Sequence, residues 1–169
     1  MDNPIVHSLG PLANADARVL ILGSMPGLQS LSTHQYYAHP RNAFWAIMSA
    51  LFGADAELPY AERVRQLQAQ GVALWDVIAC CERSGSLDAH IRSDSVQVND
   101  IPGLLDQCPS IELIACNGRT AERWFRRAVL PAVERSGRSV QWIGLPSTSP
   151  AYAAMSRVQK VRIWDRALG

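Results

Sequence analysis

Four short segments of the 169-residue chain concentrate the groups able to do chemistry. The first, GSMPG at Gly23–Gly27, sets two glycines around a proline directly after the apolar run RVLIL. It lacks the GK[ST] of a Walker loop, the spacing of GxGxxG and the serine placement of a hydrolase elbow. It reads either as a tight strand-exit turn or as a backbone whose N–H groups grip an anion or the polar edge of a base. The second, YYAHPRNAFW at Tyr36–Trp45, begins in a loop, where an exposed Tyr36 or Tyr37 ring can stack on a flat ligand. Pro40 favours an extended His39, so Arg41 and Asn42 fall where a helix begins. Asn42 is then a simple N-cap or a polar group held at a helix mouth. Phe44 and Trp45 read as core.

The third segment, LWDVIACCERSGSLDAHI at Leu74–Ile91, carries Asp76 inside a run that should be buried. A carboxylate is costly there unless it is paired or used, which sets Asp76 ahead of Asp88 in the polar loop beyond. It reads as a partnered structural carboxylate or as a working one. The fourth, LPSTSPAYA at Leu145–Ala153, has three hydroxyls between two prolines. That composition suits phosphate contact or a stiff surface turn.

Positioning these segments requires a scaffold, and its pattern is visible. Apolar runs at Arg18–Leu22, Val72–Ile78, Ile111–Cys116 and Val140–Leu145 fit strands buried on both faces. Helical patterns cover Asn42–Phe52, Tyr60–Gln70, Asn99–Gln107 (capped by Asn99), Arg119–Val129 and Ala154–Leu168. Strands alternating with helices imply crossovers and a mostly parallel sheet covered on both faces, an α/β protein with one domain spanning residues 1–169. Ligands of such folds bind beyond the carboxyl ends of the strands, which points to the loops Gly23–Arg41, Ala79–Val98, Asn117–Gly118 and Leu145–Ala153.

Composition narrows the classes. The 48% hydrophobic and 18% charged content is that of an ordinary globular chain. No apolar stretch reaches the roughly 20 residues of a membrane span, and MDNPIVHSLGPL has no signal-peptide pattern, so a cytoplasmic location is expected. Cys80, Cys81, Cys108 and Cys116 lack metal-knuckle spacing, so no metal and no cofactor are expected. Net charge is +1, yet fifteen of the sixteen cations are arginine, whose fork matches phosphate. Lys160 is the single lysine.

Taken in order, the segments resemble the uracil-DNA glycosylase superfamily, from about Arg18 to Trp164. GSMPG is similar to its first motif, YYAHPRNAFW to the segment bearing its base-stacking aromatic, and LPSTSPAYA to its second, DNA-gripping motif. LWD, GSLD and LPSTSP are hallmarks of the hypoxanthine-DNA glycosylase branch, also called DNA-deoxyinosine glycosylase. The resemblance implies a three-layer α/β/α sandwich around a central four-stranded, mostly parallel sheet. It departs at Met25, where uracil-specific branches carry an Asp or Asn that positions water; a thioether cannot do so. The resemblance places that duty on Asn42.

The same resemblance implies a flipped base stacked by Tyr37 and read by Gly23, Ser24, Met25 and Asp76. Ser147, Thr148 and Ser149 would hold flanking phosphates, with Pro150 and Tyr152 near the vacated stack. The implied partner is DNA containing deaminated bases, with hypoxanthine ahead of uracil or xanthine, bound by a monomer with no membrane association. Lys160, expected far from the strand ends, offers no Schiff-base nucleophile, so an abasic site is the implied product. Two alternatives stay open, a small-molecule nucleoside hydrolase and a catalytically silent lesion-binding module.

Overall fold

The structure, a computed structural model, describes residues 2–169. Among them the strands are β1 (Ile5–His7), β2 (Val19–Gly23), β3 (Val72–Asp76), β4 (Ile78–Glu82), β5 (Gln97–Val98), β6 (Leu113–Asn117) and β7 (Gln141–Leu145). The helices are α1 (Leu28–Thr33), α2 (Phe44–Phe52), α3 (Tyr60–Ala69), α4 (Ile101–Gln107), α5 (Arg119–Trp124), α6 (Leu130–Arg135) and α7 (Arg157–Leu168). A π-helical turn, Phe125–Val129, joins α5 to α6.

The four expected strands form one sheet in the order β3-β2-β6-β7, parallel throughout. Alternation along β2 divides the interior. Leu20 and Leu22 point into a core shared with α4, α5 and the π turn, whereas Ile21 points into one built by Phe44, Ile47 and Met48 of α2, Leu67 of α3 and Trp164 of α7. Two cores on opposite faces of one sheet make the three-layer sandwich. A parallel sheet needs this, because each of its faces must be shielded from water.

Register brings the strand ends together. Gly23 pairs with Asp76 and Asn117 with Leu145, so β2, β3, β6 and β7 all deliver their loops to one edge. The run Val72–Ile78 is not a single strand. It breaks at Val77, and β4 leaves to form a second, antiparallel sheet in the order β1-β4-β5. The cap of α4 is Asp100, which accepts from Gly103 N at 3.0 Å, in place of Asn99. Asn99 instead donates to the Asp76 carbonyl at 2.8 Å and braces the end of β3.

The last helix opens with a capping box. Ser156 Oγ accepts from Gln159 N at 3.2 Å, and Gln159 Oε1 accepts from Ser156 N at 2.9 Å. One turn apart on its inner face, Lys160 and Trp164 are buried and hold the fourth segment: Trp164 Nε1 donates to the Pro146 carbonyl at 3.0 Å. Ser156→Ala removes the reciprocal cap and is expected to lower unfolding free energy by about 1 kcal/mol, read as a reduced urea midpoint with an unchanged slope.

Candidate active site

At the edge where the strand ends meet, a cleft of about 1070 Å³ opens, and the candidate base-binding, catalytic and DNA-contacting residues all line it. Its floor is set by Gly23. A Cβ there would collide with Asp76 Oδ1 and stand 3.0 Å from Tyr37 Oη, so only glycine lets these two side chains approach the strand. Asp76 is 3% exposed, and its Oδ2 has no hydrogen-bond partner. Burial, with the nearby charge of Asp88 adding to it, pushes its carboxyl up to about 7, and Arg83 offsets this only in part.

The first segment is held down from one side. Arg83, fully buried, donates from Nη2 to the Pro26 carbonyl at 2.6 Å and from Nε to the Gly85 carbonyl at 2.9 Å. Ser86 Oγ accepts from Leu28 N at 2.9 Å, and Ser24 Oγ donates to both carboxylate oxygens of Asp88 at 2.8 and 2.9 Å. GSLD thus clamps GSMPG, and Asp88, which sequence reasoning ranks below Asp76, stands in the cleft beside it. Burial raises the Asp88 carboxyl above the usual range, partly offset by the Ser24 hydroxyl. Met25 contributes backbone to the wall, while its side chain packs into the core with 6% exposure.

The second segment enters α2 through Asn42. Its Oδ1 accepts from Phe44 N at 2.9 Å, and this N–H fixes the amide orientation, leaving Nδ2 without a protein acceptor among the described residues. The N-cap of α2 is Ala43, without a side-chain cap, so Asn42 is not the expected N-cap but closes an Asx turn just before the helix. Tyr36 is no stacking ring: it is 3% exposed, and its hydroxyl donates to the Gly10 carbonyl at 2.7 Å. Tyr37 sits in the left-handed region (φ 55°) and stacks on Phe44, with ring centroids 3.9 Å apart and planes 20° apart.

The fourth segment is tied to the sheet by a buried amide. Asn117 Nδ2 donates to Thr148 Oγ1 at 3.0 Å, and Thr148 N donates to Asn117 Oδ1 at 3.0 Å. Thr148 is 1% exposed, so its hydroxyl braces the loop, while Ser147 and Ser149, both partly exposed, remain able to meet phosphate. The Thr148 carbonyl also accepts from Ala43 N at 3.0 Å, joining this loop to the mouth of α2. Lys160 is not remote, as expected from sequence, but lies against this loop. Its Nζ donates to the carbonyls of Tyr152 at 2.9 Å and Ser149 at 3.3 Å, and the Tyr152 ring centroid is 5.3 Å away. Among the described residues no group of three or more His, Cys, Asp or Glu side chains is placed to hold a metal ion.

Comparison with known proteins matches this geometry to a lineage. The family model for the "Uracil DNA glycosylase superfamily" matches residues 11–167. The chain belongs to the uracil DNA glycosylase superfamily. Within that superfamily it is 35% identical over 132 residues to a protein named Hypoxanthine DNA glycosylase from Methanosarcina acetivorans, covering 73% of this chain and 82% of the relative. A protein of the same name from Methanosarcina barkeri is 34% identical over 110 residues, covering 64% of this chain and 68% of the relative. The solution NMR structure of a candidate uracil DNA glycosylase from M. acetivorans superposes with a TM-score of 0.77 at 27% identity, covering 96% of this chain and 98% of that one. No helix of this superfamily member is long and apolar enough to cross a membrane among the described residues.

Two outcomes are expected from this geometry. Thr148→Val leaves Asn117 Nδ2 without its acceptor in a dry site and is expected to cost about 1–3 kcal/mol in urea unfolding, whereas Ser147→Ala stays within about 0.5 kcal/mol. Asp76 ionises near pH 4 in the unfolded chain but near 7 when folded, so its contribution is full below pH 4, is lost as pH rises from about 4 to 7, and changes no further above that. Between pH 5 and pH 8 the wild type should therefore lose about 3 kcal/mol more stability than Asp76→Asn, measured by denaturant titration at each pH.

Proposed function

We propose that the protein is a monofunctional DNA glycosylase that excises hypoxanthine from deoxyinosine and leaves an abasic site. The observation that carries this reading is the placement of Asn42 and Asp76 in one cleft, an oriented amide at the mouth and a buried carboxyl at the floor. The names of two relatives point to the same base. A nucleotide inside a duplex cannot reach such a floor, so the damaged one must swing out of the stack. The rim suits that partner: Arg41 and Arg119 are exposed beside the cleft, as are the apolar side chains of Leu28 and Leu87.

In this mechanism Asn42 Nδ2 donates to a water and holds it against C1′ of the sugar. The C1′–N9 bond breaks, its electron pair leaving with the purine through an oxocarbenium-like state. The water oxygen bonds to C1′, and its surplus proton ends on the departing base. The floor carboxyl accepts from the ring N–H of the base in its ionised form. Ser147 and Ser149, with Pro150 and Tyr152 beside them, contact the flanking strand. Lys160 forms no Schiff base, because its amine is engaged by two carbonyls of the fourth segment.

Single-turnover cleavage of duplexes carrying deoxyinosine, uracil or xanthine, each treated afterwards with alkali, tests this. Asn42→Ala should lower the rate on deoxyinosine by about 100-fold or more while costing only about 1 kcal/mol of stability through the lost hydrogen bond to Phe44 N. Full activity of that variant would refute the role of Asn42, and absence of alkali-labile product from any duplex would refute the function.

A further inference from the structure

Among the described residues, four buried side-chain polar atoms have no hydrogen-bond partner, and two of them sit at the cleft floor: Tyr37 Oη and Asp76 Oδ2. The Tyr37 and Asp76 side chains converge on one point, the absent Cβ of Gly23, with Tyr37 Oη 3.0 Å from it and Asp76 Oδ1 closer still. Among the described residues no protein atom hydrogen-bonds with the Tyr37 hydroxyl. The Asn117 amide lies near enough to favour the ionised phenol, yet it already pairs with Thr148 through one N–H and its oxygen. The Tyr37 ring already packs one face on Phe44 at 3.9 Å, and its backbone holds φ 55°, a conformation costly for a tyrosine. Strain and an unpaired buried hydroxyl both cost stability, and both are concentrated at one residue of the cleft.

We propose that Tyr37 Oη and Asp76 are a donor–acceptor pair that reads the lactam edge of the flipped base. The hydroxyl donates to the exocyclic oxygen, and the carboxylate accepts from the adjacent ring N–H. This rests on the glycosylase reading above and gives Tyr37 a part different from the face-stacking its resemblance implies. Hypoxanthine, xanthine and uracil all present an oxygen beside a ring N–H and satisfy both groups at once, as the lactam edges of guanine and thymine also do, so the pair separates lactam bases from amino bases. Adenine presents an amino donor beside a bare ring nitrogen, so the hydroxyl loses its acceptor and the carboxylate meets a lone pair. Leaving the carboxylate unpaired and the hydroxyl proton undelivered at a dry floor is an effective rejection, and Tyr37 is thereby a specificity-determining residue.

Tyr37→Phe keeps the ring on Phe44 and removes only the unpaired hydroxyl. Wild type and variant are titrated calorimetrically with free hypoxanthine and with unsubstituted purine, which has neither the oxygen nor the N–H. Their Tm values are taken without ligand, and excision is measured on duplexes carrying deoxyinosine or the deoxynucleoside of unsubstituted purine. The variant should bind hypoxanthine about 10-fold or more weakly, bind purine within about 2-fold of wild type, and melt no lower than wild type. Excision of deoxyinosine should fall by more than excision of purine. Unchanged hypoxanthine affinity, equal losses for both ligands, or no hypoxanthine binding by the wild type at millimolar concentration overturns the pair. Failure of the wild type to excise any base overturns the glycosylase reading instead, while the titrations still decide the pair.

Discussion

A carboxyl group buried at the end of a parallel strand is the constraint around which this cleft is arranged. Asp76 is almost wholly removed from water, and one of its oxygens has no partner. Such a group is unfavourable in a dry interior and survives only where surrounding packing enforces it. The enforcement is specific. Asn99 holds its carbonyl, Gly23 makes room for its side chain, and the buried guanidinium of Arg83 moderates its field from the neighbouring loop. Arg83 also holds the Pro26 and Gly85 carbonyls, so the floor and one wall of the cleft are fixed together.

The walls are joined by a small number of side chains that bridge distant parts of the chain. Ser24 to Asp88 and Arg83 to Pro26 clamp the first segment from one side. Asn117 to Thr148, and Ala43 to the Thr148 carbonyl, join the fourth segment to the sheet and to α2. Lys160 and Trp164 support that same segment from beneath. Loops that would otherwise lose their geometry to conformational entropy are thereby pre-set, which suits a site that must receive a nucleotide already costly to unstack.

Much of this is legible in sequence, because it rests on local pattern. Continuous apolar runs mark the four parallel strands, and the loops at their carboxyl ends mark the cleft. Asp76 is visible as a charge in a buried run, and Asn42 as a polar residue at a helix start. The remainder depends on pairings that local pattern does not encode. β1 has three residues and β5 two, too few for periodicity to register, so the second sheet leaves no trace in the pattern. Asp88 and Arg83 lie in a stretch that looks solvated, CERSGSLD, yet Arg83 is buried and Asp88 half-buried because the loop folds back on a segment about sixty residues earlier. The burial of Tyr36 and Thr148 likewise comes from partners remote in sequence, Gly10 and Asn117. The one usable signal for Asp88 is its place in the family hallmark GSLD.

If this cleft hydrolyses the glycosidic bond of a deaminated purine, it must do so while sparing ordinary bases. Mass spectrometry of the bases released from a duplex with a single deoxyinosine among all four normal nucleotides tests both requirements directly. The expected result is free hypoxanthine in amounts matching the abasic strand, with no adenine. Release of no base, or of adenine at a comparable rate, would contradict it.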